Sequence, residues 1–133
     1  MGKGKSKPQL TDAFFRKNLS SEEYRVLRQK GTEPPFSGQY LYYDKVGTYC
    51  CKACGQKVFS SHHKFHSNSG WPSFDRSIKD SVEIHLDFTH FMIRSEVVCS
   101  HCGSHLGHLF YDYSGQTGLR YCINSIALTF KKH

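Results

Sequence analysis

The sequence has no run of about 18 or more apolar residues, so none of its segments is predicted to span a membrane. The N-terminal residues include lysines but no apolar stretch like that of a secretory signal, and we therefore expect a cytoplasmic protein. Aliphatic content is modest, whereas aromatic residues make up 14% of the chain. This composition favours strands and loops over a helical bundle, and 133 residues suit a single domain.

Acidic residues are outnumbered by basic ones, 11 to 18, and the formal net charge is +7. Part of the excess lies near the two ends of the chain, at Lys3, Lys5, Lys7, Arg16, Lys131 and Lys132. A nucleic-acid-binding surface needs basic residues clustered on a folded face with aromatic residues among them. The sequence does not indicate such a face, so we interpret the charge as solubilising and expect no nucleic-acid partner.

Residues 1–9 consist mainly of Gly, Lys, Ser and Pro and lack the branched and aromatic residues of a core, which predicts a disordered basic arm. The folded domain is then residues 10–133. The first six residues also fit the N-myristoylation pattern, with Gly2 as the acceptor. One acyl chain beside basic residues gives reversible membrane binding, so we expect membrane association only if Gly2 is acylated.

Two helices are predicted at the start of the domain. Ser20 can cap a helix in which Glu23 completes a capping box, and Leu19 and Tyr24 are spaced for a hydrophobic staple. This pattern predicts a helix over 21–30, ended by Gly31, with a shorter helix near 11–17 before it.

Strands are predicted for the rest of the domain, after a rigid connector over 32–38. Apolar side chains at 82, 84, 86 and 88 alternate with polar ones at 83, 85 and 87, which indicates a half-buried strand. Other strands are expected over 40–43 and 48–50 and within 92–99 and 119–130. The predicted fold is therefore mostly β with an N-terminal helical segment.

Four of the six cysteines form two Cys-x-x-Cys pairs, Cys51/Cys54 and Cys99/Cys102, separated by 44 residues. Four thiolates complete the tetrahedral shell of a structural Zn²⁺ ion and leave no open position for chemistry. The long insert implies that the metal clamps two distant hairpins. The alternative is a reduced or disulfide-bonded set without metal. Cys50 could compete with Cys51, but the spacing to Cys54 favours Cys51.

Cys122 lies outside this scheme, in the segment 120–125. If that segment is extended, Arg120, Cys122 and Asn124 share one face. A thiol between a guanidinium and an amide is placed where its thiolate can be stabilised, as a nucleophilic cysteine requires. The alternative is a small buried hydrophobe, and the segment alone leaves both interpretations open.

His105 and His108 are separated by three positions and follow the second cysteine pair. Because four cysteines already fill a zinc site, proton transfer or orientation is the better functional interpretation, the alternative being a structural pair. Asp112 could orient a histidine or bind a water. Trp71, between Gly70 and Pro72, is either a core anchor or a wall of an apolar pocket for a small substrate group.

Together these segments resemble the B-type peptide-methionine (R)-S-oxide reductases from about residue 10 to 131. The matching pieces, in order, are Gly31–Gly38, Cys51–Cys54, Ser69–Phe74, Cys99–Cys102, His105–Phe110 and Arg120–Ser125. The resemblance implies a mostly β fold with two antiparallel sheets and short N-terminal helices, clamped by the structural four-cysteine zinc site.

The resemblance also implies the activity and the role of each site residue. The substrate is methionine-R-sulfoxide, free or in oxidised proteins, and the Cys122 thiolate attacks its sulfur. Methionine leaves and Cys122 becomes a sulfenic acid. The other implied roles are protonation of the sulfoxide oxygen by His105 and His108 with Asp112 beside them, positioning by Asn124, thiolate support by Arg120, and substrate contact by Trp71 and Phe110.

The chain departs from the family pattern in two places. Many members have a resolving cysteine where this chain has Ser69, and the usual Pro-Asp-Gly is replaced by Tyr111-Asp112-Tyr113. Cys50 is an alternative resolving thiol. Otherwise the sulfenic acid must be reduced directly by thioredoxin, by glutaredoxin with glutathione, or by a small thiol.

A rival interpretation is a non-catalytic, zinc-clamped β domain that binds a protein or a nucleic acid. Such a module has no need of Cys122 together with two histidines and Trp71, so we favour the enzyme. We expect a monomer whose partners are its oxidised substrates and a thiol reductant.

Overall fold

Antiparallel strand pairing organises the chain in a computed structural model that describes residues 10–133. Two short helices precede the strands, and the strands form two antiparallel sheets, as predicted. The predicted basic arm over 1–9, with its acylation site Gly2, lies outside the described residues. Among residues 10–133, no helix is long and apolar enough to cross a membrane.

The helices are α1, Asp12–Asn18, and α2, Ser21–Gln29. The predicted capping box is present at the start of α2. The Ser20 hydroxyl accepts a hydrogen bond from the Glu23 N–H at 3.1 Å, and the Glu23 carboxylate accepts one from the Ser20 N–H at 2.9 Å. The start of the helix is therefore set by local side-chain chemistry that is readable in the sequence.

The end of α2 differs from the prediction. Lys30, and not Gly31, takes the left-handed conformation, with φ at 58°. Gly31 is needed for another reason, because a Cβ atom there would lie 2.9 Å from the backbone carbonyl oxygen of Arg25. The glycine therefore permits a close backbone approach just beyond the helix.

The strands are β1 Gly47–Cys51, β2 Lys57–Ser60, β3 Lys64–Phe65, β4 Ser73–Phe74, β5 Val82–Asp87, β6 Arg94–Cys99, β7 His105–Tyr111, β8 Leu119–Ile123 and β9 Leu128–Lys132. A three-stranded sheet has the order β2-β1-β9, and a six-stranded sheet has the order β3-β4-β8-β7-β6-β5. The strand predicted over 40–43 is wrong. That segment forms turns, in which the N–H groups of Leu41 and Tyr43 donate to the carbonyl oxygens three residues earlier, both at 3.3 Å, and Tyr40 packs edge-on against Tyr49.

One row of directly opposed residues crosses the six-stranded sheet. Cys122 on β8 lies opposite Ser73 on β4 and His108 on β7. His108 in turn lies opposite Glu96 on β6. Opposed residues project from the same face of a sheet, so this pairing puts the thiol, the imidazole and the carboxylate on one face.

The next row on the same face carries the remaining charged groups. Arg120 lies opposite Phe110, and Arg94 lies opposite Asp87. These positions are two residues away from the first row along each strand, so their side chains project from the same face.

The other face of this sheet packs on the core. Phe74 on β4 stacks on Phe59 of the small sheet, with ring centroids 4.5 Å apart, and contacts Tyr49 edge-on at 5.2 Å. Val97 and Leu106 complete the buried side of the large sheet. The hydrophobic core therefore lies between the sheets, and the opposite face of the large sheet carries Cys122, His108 and Glu96.

A β-bulge in β7 sets the direction of both histidines. Val97 pairs with Gly107 and Val98 pairs with His105, which leaves Leu106 as the extra residue. On a regular strand, residues three apart would point to opposite faces. The bulge reverses that relation, so that His105 and His108 lie on the same face, with ring centroids 5.2 Å apart.

The strand predicted over 82–88 exists as β5, Val82–Asp87, but most of its apolar side chains are exposed rather than buried, and of its polar side chains only the last is buried. Asp87 is buried, whereas Ile84, Leu86 and Phe88 are exposed by 44%, 66% and 65%. The reason is position, since β5 is the edge of the large sheet and pairs only with β6 among the described strands. The polar residues of β5 lie on the face of the sheet that also carries His108 and Cys122.

Candidate functional site

The four cysteines of the two pairs form one cluster. All four sulfurs lie within 4.8 Å of one another, with Cys51 and Cys102 3.7 Å apart and Cys54 and Cys99 3.6 Å apart. A tetrahedral Zn²⁺ site with Zn–S bonds of about 2.3 Å requires sulfur separations of about 3.8 Å. The cluster therefore has the size and the donors to hold a zinc ion.

Each cysteine pair is shaped by a glycine. Gly55 and Gly103 have φ values of 85° and 76°, and their N–H groups donate to the carbonyl oxygens of Cys51 and Cys99 at 2.7 and 2.8 Å. These tight turns bring the two sulfurs of each pair together.

The cluster is tied to the N-terminal helices. Arg28 of α2 donates to the Cys102 carbonyl at 2.9 Å and to the Ser104 hydroxyl at 3.0 Å, and its guanidinium lies 4.0 Å from the centre of the Phe15 ring. Lys52 pairs with Glu23 at 3.3 Å. A metal at this site would therefore join both sheets to the helical segment.

Cys122 opens into a separate cavity of about 200 Å³. Its lining residues are Thr32, Ser69, Trp71, Arg94, Gly107, His108, Phe110, Arg120, Cys122 and Asn124. The Ser69 hydroxyl lies 4.0 Å from the Cys122 sulfur. Gly107 is required beside the thiol, because a Cβ there would lie 2.0 Å from the Cys122 carbonyl oxygen.

The charge state of Cys122 is set by two opposing effects. Burial raises the pKa of its thiol above the ordinary value, and the positive charge of Arg120 opposes that shift without cancelling it. Arg120 is held by a hydrogen bond to Asp112 at 3.0 Å and lies 4.7 Å from the centre of the Phe110 ring. The resting protein therefore keeps the thiol protonated at neutral pH.

His108 is held by a buried carboxylate. Its Nε2 lies 2.8 Å from Asp87 Oδ2. Although burial opposes ionisation, hydrogen bonds from His108 and Thr89 hold the pKa of Asp87 well below its usual value, so Asp87 is an acceptor and Nε2 carries the proton. Burial lowers the pKa of His108 more than Asp87 raises it, so the ring is neutral at pH 7.

His105 lies beside His108 but does not line the cavity. Its Nδ1 is 2.7 Å from Glu96 Oε2, and Lys30 approaches the same carboxylate at 3.3 Å. Burial lowers the pKa of His105. Its Nε2 is buried and has no hydrogen-bond partner among residues 10–133.

Glu33 connects the cavity walls. Its carbonyl oxygen accepts from Trp71 Nε1 at 3.0 Å, and its N–H donates to Asn124 Oδ1 at 3.0 Å. Its carboxylate accepts from the N–H groups of Ser125 and Ile126, both at 2.9 Å. One residue of the predicted rigid connector thus orients the tryptophan and the asparagine together.

Six of the predicted site residues line the same cavity: Trp71, His108, Phe110, Arg120, Cys122 and Asn124. His105 and Asp112 lie behind His108 and Arg120, and Asp112 contacts Arg120 rather than a histidine. Cys50 is 2% exposed on β1 of the other sheet and does not line the cavity, so its position lends no support to a resolving role.

Sequence reasoning missed the carboxylates that orient the histidines, Asp87 and Glu96, and also missed Arg94, Thr32 and Glu33. Asp87 is the last polar residue of the alternating pattern over 82–88, but the polar face of that strand was expected to be exposed to solvent. The site functions of Cys122 and the residues around it stay predictions at this point.

Comparison with known proteins decides the family. A family model described as the SelR domain matches residues 19–132. Curated proteins named "Peptide methionine sulfoxide reductase MsrB" from Methanosarcina barkeri and Acinetobacter baylyi are 57% and 52% identical. The matches cover 88% and 91% of this chain, and 83% and 88% of those proteins. The chain belongs to the B-type peptide methionine sulfoxide reductase family.

The fold of this B-type reductase family member also occurs elsewhere. A crystal structure of the Mis18 "Yippee-like" domain matches with a TM-score of 0.55 at 17% identity, covering 67% of this chain and 98% of that one. At that identity, the likeness concerns the fold alone.

The protonated state of Cys122 can be tested by alkylation. We expect the rate of its reaction with iodoacetamide, followed by peptide mass spectrometry, to be half-maximal above about pH 8.5, the value of an ordinary thiol. Arg120→Gln should move the profile to higher pH, because the guanidinium favours the thiolate. The exposed Arg76→Gln is the matched control and should leave it unchanged. A midpoint below that of a free thiol would contradict this account.

Proposed function

We propose that the protein reduces methionine-R-sulfoxide to methionine with Cys122 as the nucleophile. The observation that carries the proposal is that Cys122 and His108 oppose each other on adjacent strands and line one cavity with Trp71. Family membership supports methionine sulfoxide reduction in general. The stereospecificity and the residue roles are our inference from the geometry.

The cavity offers three different environments to a sulfoxide. Trp71 and Phe110 supply aromatic surface for the methyl group of the substrate. The Trp71 ring is held in its orientation by the hydrogen bond from its Nε1 to the Glu33 carbonyl oxygen. His108 supplies a proton donor for the oxygen, and Cys122 supplies the nucleophile. Three distinct contacts around one stereogenic sulfur discriminate between the two diastereomers, which is why one hand is expected.

The resting charge states suggest how the proton moves. Cys122 is a thiol and His108 is neutral, with Nε2–H committed to Asp87 and Nδ1 carrying the free lone pair. His108 therefore accepts the thiol proton as the substrate binds, which forms the thiolate and an imidazolium. Because burial lowers the pKa of His108, that imidazolium is a strong proton donor.

Reduction of the sulfoxide to methionine, with formation of the sulfenic acid, needs no reactant besides Cys122, His108 and the substrate. The thiolate attacks the sulfoxide sulfur, and the imidazolium of His108 protonates the oxygen. The attack forms a bond between the Cys122 sulfur and the methionine sulfur. The hydroxyl group then moves from the methionine sulfur to the Cys122 sulfur, so the sulfur–oxygen bond of the substrate and the new sulfur–sulfur bond both break, and Cys122 becomes a sulfenic acid. Cys122 is oxidised by two electrons, methionine is the reduced product, and His108 returns to its neutral form.

The roles of the other predicted residues follow from their contacts. His105 and Glu96 lie next to His108 and support its position, and Asn124 is fixed between Glu33 and the Leu106 carbonyl. Asp112 acts on the thiol through Arg120, which it orients. We therefore assign direct contact with the substrate oxygen to His108 rather than to His105 or Asp112.

The proposed nucleophile is tested with the two sulfoxide diastereomers. Wild type should release methionine from the R form only, and Cys122→Ser should lower that rate by about 10³-fold or more. Cys50→Ser is the matched control, because it removes a thiol that does not line the cavity, and it should retain the activity. The rival binding module would be favoured if wild type and Cys122→Ser were equally inactive on both forms.

We also propose that the four-cysteine cluster holds a structural zinc ion. Cys51, Cys54, Cys99 and Cys102 have the donors and the spacing for it, and the cluster is about as wide as a tetrahedral site requires. The bound ion would neutralise the thiolates and close the loops, and it would take no part in sulfoxide reduction.

Metal removal tests this role. We expect one zinc per chain by elemental analysis, and chelation should unfold the protein, because metal binding of this kind contributes about 10 kcal/mol or more to folding. Cys54→Ser should lose the metal, whereas Cys50→Ser should keep it. Equal metal content in both variants, or an unchanged melting temperature after metal removal, would contradict the proposal.

Recycling is proposed to use an external thiol, from thioredoxin or a small thiol. Ser69 stands near the nucleophile, with 4.0 Å between its hydroxyl and the Cys122 sulfur, and a hydroxyl cannot form a disulfide. Cys50 is buried in the other sheet, and burial raises the pKa of its thiol, which disfavours attack on a sulfenic acid.

The missing resolving thiol can be restored. In Ser69→Cys, a small rotation should bring the introduced sulfur from about 4 Å into bonding distance of Cys122, since a disulfide spans about 2 Å. After one turnover on the R-sulfoxide, mass spectrometry should show a loss of two hydrogens in this variant and a trapped sulfenic acid in wild type. A wild-type disulfide that maps to Cys50 would instead establish Cys50 as the resolving residue.

A further inference from the structure

Arg94, the first residue of β6, lines the cavity with His108 but takes no part in the proposed reaction steps. The register of β5 and β6 places it directly opposite Asp87. Its Nη2 lies 3.5 Å from Asp87 Oδ2, and the same oxygen lies 2.8 Å from His108 Nε2. One carboxylate oxygen therefore stands between an imidazole and a guanidinium.

The contact between Arg94 and Asp87 depends on charge rather than on a fixed hydrogen-bonded fork. Its length of 3.5 Å exceeds the length of a charge-assisted hydrogen bond, about 2.8 Å. Arg94 Nη2 donates to Thr89 Oγ1 at 3.3 Å, and Arg94 Nε is buried without a hydrogen-bond partner among residues 10–133. The side chains of Arg94 and Asp87 are 22% and 3% exposed, so solvent screens the pair only in part. The positive charge at this position is therefore what acts on Asp87.

The charged and titratable groups around His108 come from each neighbouring strand and, through Glu96, from α2. They are Asp87 of β5, Arg94 and Glu96 of β6, His105 of β7, Arg120 and Cys122 of β8, and Lys30 of α2. Lys30 lies 3.3 Å from Glu96. Each of the two carboxylates that hold the histidines thus has a cation beside it, and Arg94 is the cation beside the partner of His108.

Arg94 opposes the effect that Asp87 has on His108. Burial lowers the pKa of His108, the hydrogen bond to Asp87 raises it, and the charge of Arg94 lowers it again. Without that charge, the Asp87 carboxylate would hold a proton on the ring more firmly. His108 would then be charged in more of the resting protein and could not accept the thiol proton there.

We propose that Arg94 is a positioning residue for the reaction, which offsets the charge of Asp87 so that this carboxylate orients His108 without keeping it protonated. The inference rests on the proposed function and adds a residue to it. His108 must be neutral before it accepts the proton of Cys122, and it must afterwards release that proton to the sulfoxide oxygen. Arg94 keeps the resting ring neutral and makes the imidazolium a stronger acid.

The test compares Arg94→Gln, which removes the charge, with Arg94→Lys, which keeps it. Arg76→Gln is the matched control, because Arg76 lies 3.9 Å from the buried carboxylate of Asp75 and does not line the cavity. Methionine release from N-acetyl-methionine-R-sulfoxide amide is followed in a single turnover of the pre-reduced protein, so that recycling by a reductant does not enter. Low substrate concentration makes the profile, from about pH 5 to 8, report the resting protein.

For Arg94→Gln we expect the midpoint of the acidic limb to rise by about one pH unit, because removing a nearby positive charge favours the protonated ring. Arg94→Lys and Arg76→Gln should keep the midpoint of wild type. An unmoved midpoint in Arg94→Gln would overturn the inference. An equal shift in Arg94→Lys would also overturn it, since a charge-independent effect means that Arg94 only supports the local structure.

A second measurement separates this inference from the proposed function. If wild type releases no methionine from the R-sulfoxide, the proposed function is wrong. NMR titration of the His108 ring, identified by the signal that His108→Gln lacks, then decides whether Arg94 acts on His108. A higher titration midpoint in Arg94→Gln than in wild type and Arg94→Lys would support that action, and equal midpoints would overturn it.

Discussion

The pairing of β7 with β8 is the constraint on which the site depends. It sets Cys122 directly across from His108, and the close approach of the two strands requires Gly107, beside which no side chain fits. Neighbouring strands are about 5 Å apart in this direction, so a thiol and an imidazole in register are held within reach of one small molecule. A shift of one residue in the register of β7 and β8 would place the side chains of Cys122 and His108 on opposite faces of the sheet.

The four-cysteine cluster and the register of the large sheet have different roles in the structure. The cluster joins distant turns and the α2 helix through Arg28, and it stands apart from the residues that line the cavity. The register arranges the reacting groups. In the proposed function, stability and chemistry therefore depend on different cysteines, and Cys122 lies outside the four-cysteine cluster.

Local chemistry was predictable from the sequence. The capping box of α2 and the two cysteine pairs depend on short spacings that a single sequence displays. The cavity residues were assigned roles through the family resemblance, because the residues alone left the alternatives open. Asp87 and Glu96 were not predictable as histidine partners, because their contacts require the register of β5, β6 and β7. The bulge at Leu106 was likewise not predictable from the sequence. The exposure of Ile84 and Leu86 depends on β5 being an edge strand, which is a property of the whole sheet.

The position of Glu33 has a consequence for the order of folding. Its bonds to Trp71 span 38 residues, and those to Asn124, Ser125 and Ile126 span 91, 92 and 93. Because contacts so distant along the chain close large loops, we expect them to form after hairpins such as β5–β6, whose partners are near in sequence. We therefore expect the cavity walls at Trp71 and Asn124 to be fixed only after Glu33 has formed its hydrogen bonds to them.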